Sequence, residues 1–126
     1  MNLSLLMTIN AVVAAVFGIA FVIAPGQAVS LYGVSADAPL RYVAQLFGAA
    51  LLGFAVLTWM ARKAAASDTR SAIVLALFVS DGLGFVLALI GQLGDVVNSM
   101  GWSTVVIYLL LALGFGYFQF MKPATS

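Results

Sequence analysis

Cysteine and histidine are absent from this chain, and all four of its acidic residues are aspartates. Without cysteine there is no disulfide, no thiolate nucleophile and no Cys/His metal site. Without histidine the commonest haem ligand is gone, and the five methionines show no spacing that would replace it. Charge of either sign is scarce. Five Lys and Arg face four Asp, 7% of 126 residues, where a soluble domain carries about 25%. A water-soluble surface cannot be built from so few charges. The formal net charge of +1 gives no case for nucleic-acid binding. The usual catalytic sets are missing, so an enzyme is not expected and no cofactor is implied.

Apolar residues are what the chain has, at 64%. They fall into four runs, each longer than the roughly 18 residues that mark a membrane helix. The expected helices cover about 3–24, 39–61, 71–92 and 102–121, bounded by their stop signals. A single integral membrane domain over 1–126 is expected, an all-α bundle of four transmembrane helices. No Lys or Arg precedes Arg41, so the first run lacks the basic start of a signal peptide. It also exceeds an apolar signal core of about 7 to 15 residues, and is expected to be kept as a span.

Local signals set the boundaries. Pro25-Gly26 is expected to stop the first helix, and Ala28 to Tyr32 to form one interfacial turn. Ser35 or Asp37 can cap the second helix, with Pro39 in its first turn, and Ser67 or Asp68 the third. Lys122-Pro123 is expected to end the fourth. Arg62, Lys63, Arg70 and Lys122 fall on one side, where they set topology and meet lipid headgroups; Arg41 is alone on the other. The positive-inside rule then puts both termini and the middle linker in the cytoplasm. Trp59 and Phe118 near the inner face, and Tyr32, Tyr42 and Trp102 near the outer face, fit aromatic belts.

A weak internal repeat relates the two halves. A shift of 68 residues sets Phe17, Ala20, Ala44, Phe47 and Gly48 on Phe85, Ala88, Ala112, Phe115 and Gly116. Both outer loops then read G-x-x-V-x-x-x-G-x-S, starting at Gly26 and at Gly94. The expectation is two parallel helical hairpins related by an axis along the membrane normal. Coincidence among Ala, Gly and Phe is the competing account. Under the shift, Asp81 matches Val13.

Each run carries a stripe of small or polar residues at helical spacing. Asn10, Ala14 and Gly18 form one, and Arg41, Gln45 and Gly48 with Ala44 beside them form the second. Asp81, Gly84 and Ala88 share a face of the third; Thr104, Tyr108, Ala112, Phe115 and Gln119 share one of the fourth. The simplest role is packing, because small residues let helices approach closely. Ala14, Gly18, Ala44, Gly48, Gly84 and Ala88 are the packing candidates.

Asp81 is the one charge inside the run from Ile73 to Ile90. Counting from Ser71 at 1.5 Å per residue, it lies about 15 Å deep, near the midplane of a core roughly 30 Å thick. Asn10 at about 10 Å, and Gln45 and Tyr108 at about 20 Å, come within reach if their helices are neighbours. Asp81, Asn10, Gln45 and Tyr108 form the candidate intramembrane polar site. Arg41 lies more than about 10 Å higher, so a direct pair with Asp81 needs a vertical offset or a water. Without a cation, the acid is expected to keep its proton and donate one hydrogen bond to Asn10, Gln45 or a carbonyl.

Leu40-Arg41-Tyr42-Val43-Ala44-Gln45-Leu46-Phe47-Gly48-Ala49-Ala50-Leu51-Leu52-Gly53 follows the Pro-Gly break, and Trp59 follows it. These residues resemble small bacterial four-helix integral membrane proteins of uncharacterised role, which share an outer Arg, a G-A-x-L-L-G core and an inner Trp on helix two. The resemblance implies a four-helix fold and brings no activity; the expected location is a bacterial inner membrane. The favoured functional expectation is a non-catalytic accessory or scaffold subunit, docked on other membrane subunits or on copies of itself. The second is a small ion- or proton-coupled transporter or channel centred on Asp81. The third is a protein that binds a lipid, quinone or pigment.

Overall fold

A computed structural model describes residues 2–121 of the chain. Helix α1 spans Leu3–Ile23, α2 Pro25–Ser30, α3 Ala38–Ala61, α4 Asp68–Leu93 and α5 Gly101–Gly116, which continues as a π-helical turn, Tyr117–Met121. Among the described residues there is no strand. Four of these segments, α1, α3, α4 and α5 with its π turn, are long and apolar enough to cross a membrane. The fold is an all-α four-helix membrane bundle. Lys122 and Pro123 lie outside the described residues, and so does what was expected of them.

The helix starts are set by side-chain caps. Asn2 Oδ1 accepts from the Leu5 amide at 2.7 Å, and Asp37 Oδ1 from the Leu40 amide at 2.9 Å. Ser67 Oγ accepts from the Arg70 amide at 3.1 Å, so α4 begins at Asp68, earlier than the apolar run suggests. Each cap satisfies an amide that the helix itself leaves without a partner. Ala24 leaves the helical region at φ −133°, as a residue before proline tends to. Pro25 then starts α2, because a first-turn position needs no amide hydrogen. The interfacial turn therefore covers 25–30 rather than 28–32, and Gly26 is inside it.

Pairing is uneven. Helix α1 packs along α3, and α4 along α5, whereas α3 and α4 scarcely touch although they follow one another in sequence. A lighter contact between α1 and α5 joins the two hairpins. Helices α1 and α3 cross closely at Gly18 and Gly48. A Cβ on Gly48 would lie 2.9 Å from the Gly18 carbonyl oxygen and 2.9 Å from Phe21 Cβ. A Cβ on Gly18 would lie 3.1 Å from the Gly48 carbonyl oxygen. Ala14 and Ala44 are buried on the same pair of helices. Lipid offers no hydrophobic drive for helix association, so backbone approach of this kind has to supply it.

The hairpins meet at their two ends. At the linker end, Leu3, Leu6 and Met7 of α1, Val74 and Leu77 of α4, and Leu111 and Phe115 of α5 form the apolar core, with Ala61 and Phe118 beside them. Ser71 Oγ and the Gln119 amide bond each other there at 3.2 Å, tying the π turn to α4. At the loop end, the Asn98 amide donates to Tyr32 O at 2.8 Å and Asn98 Nδ2 to Leu31 O at 3.1 Å. Gly33 takes φ +76° beneath Asn98, a conformation that favours glycine.

Gly48→Ala is expected to lower stability by about 1–3 kcal/mol, because both obstructing groups belong to the neighbouring helix backbone or its first side-chain atom. Gly53→Ala meets nothing within 4 Å and should leave stability unchanged or slightly raised. Thermal unfolding of the two variants in one detergent checks the contrast.

Candidate functional site

Between the two pinned ends the hairpins stand apart, and a cavity of about 380 Å³ fills the gap. All four long helices line it. From α1 come Asn10, Ala14, Phe17 and Phe21, which follow one another at i, i+4, i+7 and i+11. From α3 come Phe47, Leu51 and Phe54, again at helical spacing. Asp81, Ser80 and Ala88 of α4 face them, with Tyr108 and Thr104 of α5. The walls are therefore mostly aromatic and aliphatic, as in small-molecule sites.

The floor is polar. Asp81 is 7% exposed, and its Oδ2 is buried with no hydrogen-bond partner. Asn10, 5% exposed, stands on the same floor. Leu77 and Leu111 line the cavity just below these residues and belong to the linker-end core, which closes it on that side. At the opposite end Tyr32 reaches across from the first hairpin, its hydroxyl 2.9 Å from Thr104 Oγ1. Counted from Asp81 to Gly91 along α4, floor and roof are about 15 Å apart.

The side opening lies between α3 and α4. Two lining residues flank it and are well exposed: Phe47 on α3 at 43% and Leu87 on α4 at 66%. They face the surroundings where the other apolar side chains of these helices also point outward, toward lipid.

The expected polar site is only partly assembled. Asn10 does not serve Asp81; its Nδ2 donates to Thr58 Oγ1 at 3.4 Å, and that hydroxyl donates to Phe54 O at 2.8 Å. Gln45 is exposed, and its amide donates to Val22 O at 3.1 Å, on the α1–α3 seam rather than in the cavity. The expected hydrogen bond from the acid to Asn10, Gln45 or a carbonyl is not formed by Oδ2. Tyr108 is in the cavity wall, and its ring lies so close over Gly84 that a methyl group there would overlap it. Gly84 is thereby a seat for Tyr108, whereas Ala88 lines the open space.

Arg41 is far from the acid and donates from Nη1 to Ala36 O at 2.6 Å. Arg62 lies over the Trp59 ring, 3.7 Å from its centroid, and also donates to Trp59 O. Arg70 donates to Ala64 O at 3.1 Å. Arg62, Lys63 and Arg70 border a shallow surface cleft at the linker end. Lys122 lies outside the described residues. Among those residues no group of acidic residues is placed to hold a metal ion.

Two features escaped the sequence reading. Thr58 is fully buried and holds Asn10, a pairing that depends on how α1 and α3 slide against each other. The aromatic stripes were visible as Phe17 and Phe21, and as Phe47 and Phe54, on the faces that carry Asn10 and Leu51. No protein-family model, curated protein or solved structure matches the chain.

Tyr32→Phe removes the link to Thr104 across the roof. A loss of about 0.5–1.5 kcal/mol is expected. Tyr42→Phe, on an exposed side chain, should lose nothing. Denaturant titration in mixed micelles measures both.

Proposed function

We propose that the protein is a non-catalytic binder of a lipid-soluble small molecule, held in the cavity between the hairpins. The observation that carries this reading is the buried, unpartnered Asp81 Oδ2 at the floor of an aromatic cavity between the hairpins. A buried polar atom left without a hydrogen bond costs about 1–3 kcal/mol, and a ligand that bonds it recovers that energy. The cavity volume lies in the range of about 300–1,000 Å³ that small-molecule sites occupy.

The other two expectations have less support from the geometry. A pure scaffold has no use for a lined cavity with a polar floor. An ion-coupled pathway needs polar groups in sequence across the membrane, and here Asn10 and Gln45 are engaged elsewhere while the core below the floor is apolar. Self-association or docking on other membrane subunits remains compatible with binding, since the outer faces are mostly apolar.

The positive-inside rule favours the linker end, with Arg62, Lys63 and Arg70, in the cytoplasm. The side opening then belongs to the outer leaflet. The resemblance to small bacterial four-helix proteins favours a bacterial inner membrane.

Filling the cavity tests the reading. Ala88→Trp places a large side chain in the open space, whereas Leu113→Trp changes an exposed position. Wild type and Leu113→Trp, isolated from native membranes in mild detergent, should carry a small molecule at near-equal stoichiometry with protein by native mass spectrometry. Ala88→Trp should lose most of it. Equal retention by Ala88→Trp, or an empty wild type, contradicts the proposal.

A further inference from the structure

The floor of the cavity specifies the ligand's head. Asp81 is an acceptor without a donor, 93% removed from solvent by its 7% exposure. No basic residue of the described chain is directed to it. Arg41 is bonded to Ala36 O at the loop end, Arg70 to Ala64 O in the linker, and Arg62 lies on Trp59. Lys63 borders the linker-end cleft. The amide of Asn10, also on the floor, donates to Thr58. What Asp81 Oδ2 lacks is a hydrogen-bond donor, and no positive charge of the described residues lies beside the acid to favour its carboxylate form.

The surrounding rings favour the same head. Phe17, Phe54 and Tyr108 line the cavity with the acid. Aromatic faces attract cations most strongly where water is excluded. An anionic head, such as a phosphate or fatty-acid carboxylate, would find no arginine or lysine of the described residues on the floor to offset its charge, and would hold the acid in its protonated form. A neutral hydroxyl would supply a hydrogen without the charge that makes such bonds about twice as strong.

We propose that the ligand is a lipophilic amine, its protonated nitrogen bonded to the Asp81 carboxylate and its apolar body lying along Phe17 and Phe21 toward the roof. This rests on the reading of the cavity as a ligand site. The volume of about 380 Å³ is near the lower end for drug-sized ligands, so the body is one chain or a small ring system. A length of about 15 Å from floor to roof suits an extended single chain.

The test uses the full chain in lipid nanodiscs and two radiolabelled probes of equal length, dodecylamine and dodecanol. Wild type is expected to hold the amine at least about tenfold more tightly than the alcohol, equivalent to one charge-assisted bond. Asp81→Asn should bring the two affinities together by weakening the amine alone, and Asp81→Glu should keep the preference. Equal binding of both probes to wild type overturns the amine inference and leaves a cavity that binds neutral amphiphiles. Binding of neither probe, or occupation of the gap by a helix of another protein, overturns the inference and the ligand-site reading together. A preference that survives in Asp81→Asn overturns the role of the acid. If Asp81→Asn does not fold, wild type decides through a dodecylamine bearing a diazirine beside its nitrogen. Crosslinks to α4 and α5 around residues 81 and 108 support the inference, and crosslinks confined to the loop end overturn it.

Discussion

The structure depends on helices that are tight within each hairpin and loose between hairpins. Gly18 and Gly48 bring the backbones of α1 and α3 together so closely that a Cβ on Gly48 would lie 2.9 Å from the Gly18 carbonyl oxygen. In water, burial of apolar side chains would pull all four helices into one dense core. In lipid that force is absent, and helices associate where small residues and hydrogen bonds allow it. The chain places those features inside the hairpins and at their two ends. The middle of the bundle is left apart as a result.

That gap is what makes Asp81 tolerable. A carboxyl group turned toward acyl chains would have nothing to bond and nowhere to go. Here it faces a cavity shielded by α1, α3 and α5. The two hairpins differ at this point. Val13, the counterpart of Asp81 under the 68-residue shift, lines the same cavity from the opposite hairpin. An apolar residue on one wall and an acid on the other give the space a direction, and a ligand a reason to bind one way round. The loops differ as well: one forms the short helix α2, and the other turns through Asp95 at φ +59°. Their contact through Asn98 and Tyr32 closes the end of the bundle away from the linker.

Much of the architecture was readable in the residues. Four long apolar runs, the Pro25 break, and caps at Asp37 and Ser67 follow from local chemistry that needs no partner. Asp81 stood out for the same reason, since a charge in an apolar run is conspicuous without knowledge of its surroundings. Hydrogen-bond partners were not readable. Heights along the helices placed Asn10, Gln45 and Tyr108 near the acid, but height does not fix rotation. Gln45 turns onto the α1–α3 seam, and Asn10 finds Thr58 instead. The cavity was not readable either. It arises from α3 and α4 failing to pack, and a missing contact leaves no mark in the spacing of residues on either helix.

A high-resolution structure in lipid nanodiscs, made without added ligand, tests the central claim most directly. The account predicts α3 and α4 apart, with Phe47 and Leu87 flanking an opening, and continuous non-protein density reaching Asp81. Helices α3 and α4 packed side by side, with the acid bonded to a neighbouring helix and no space beside it, would contradict it.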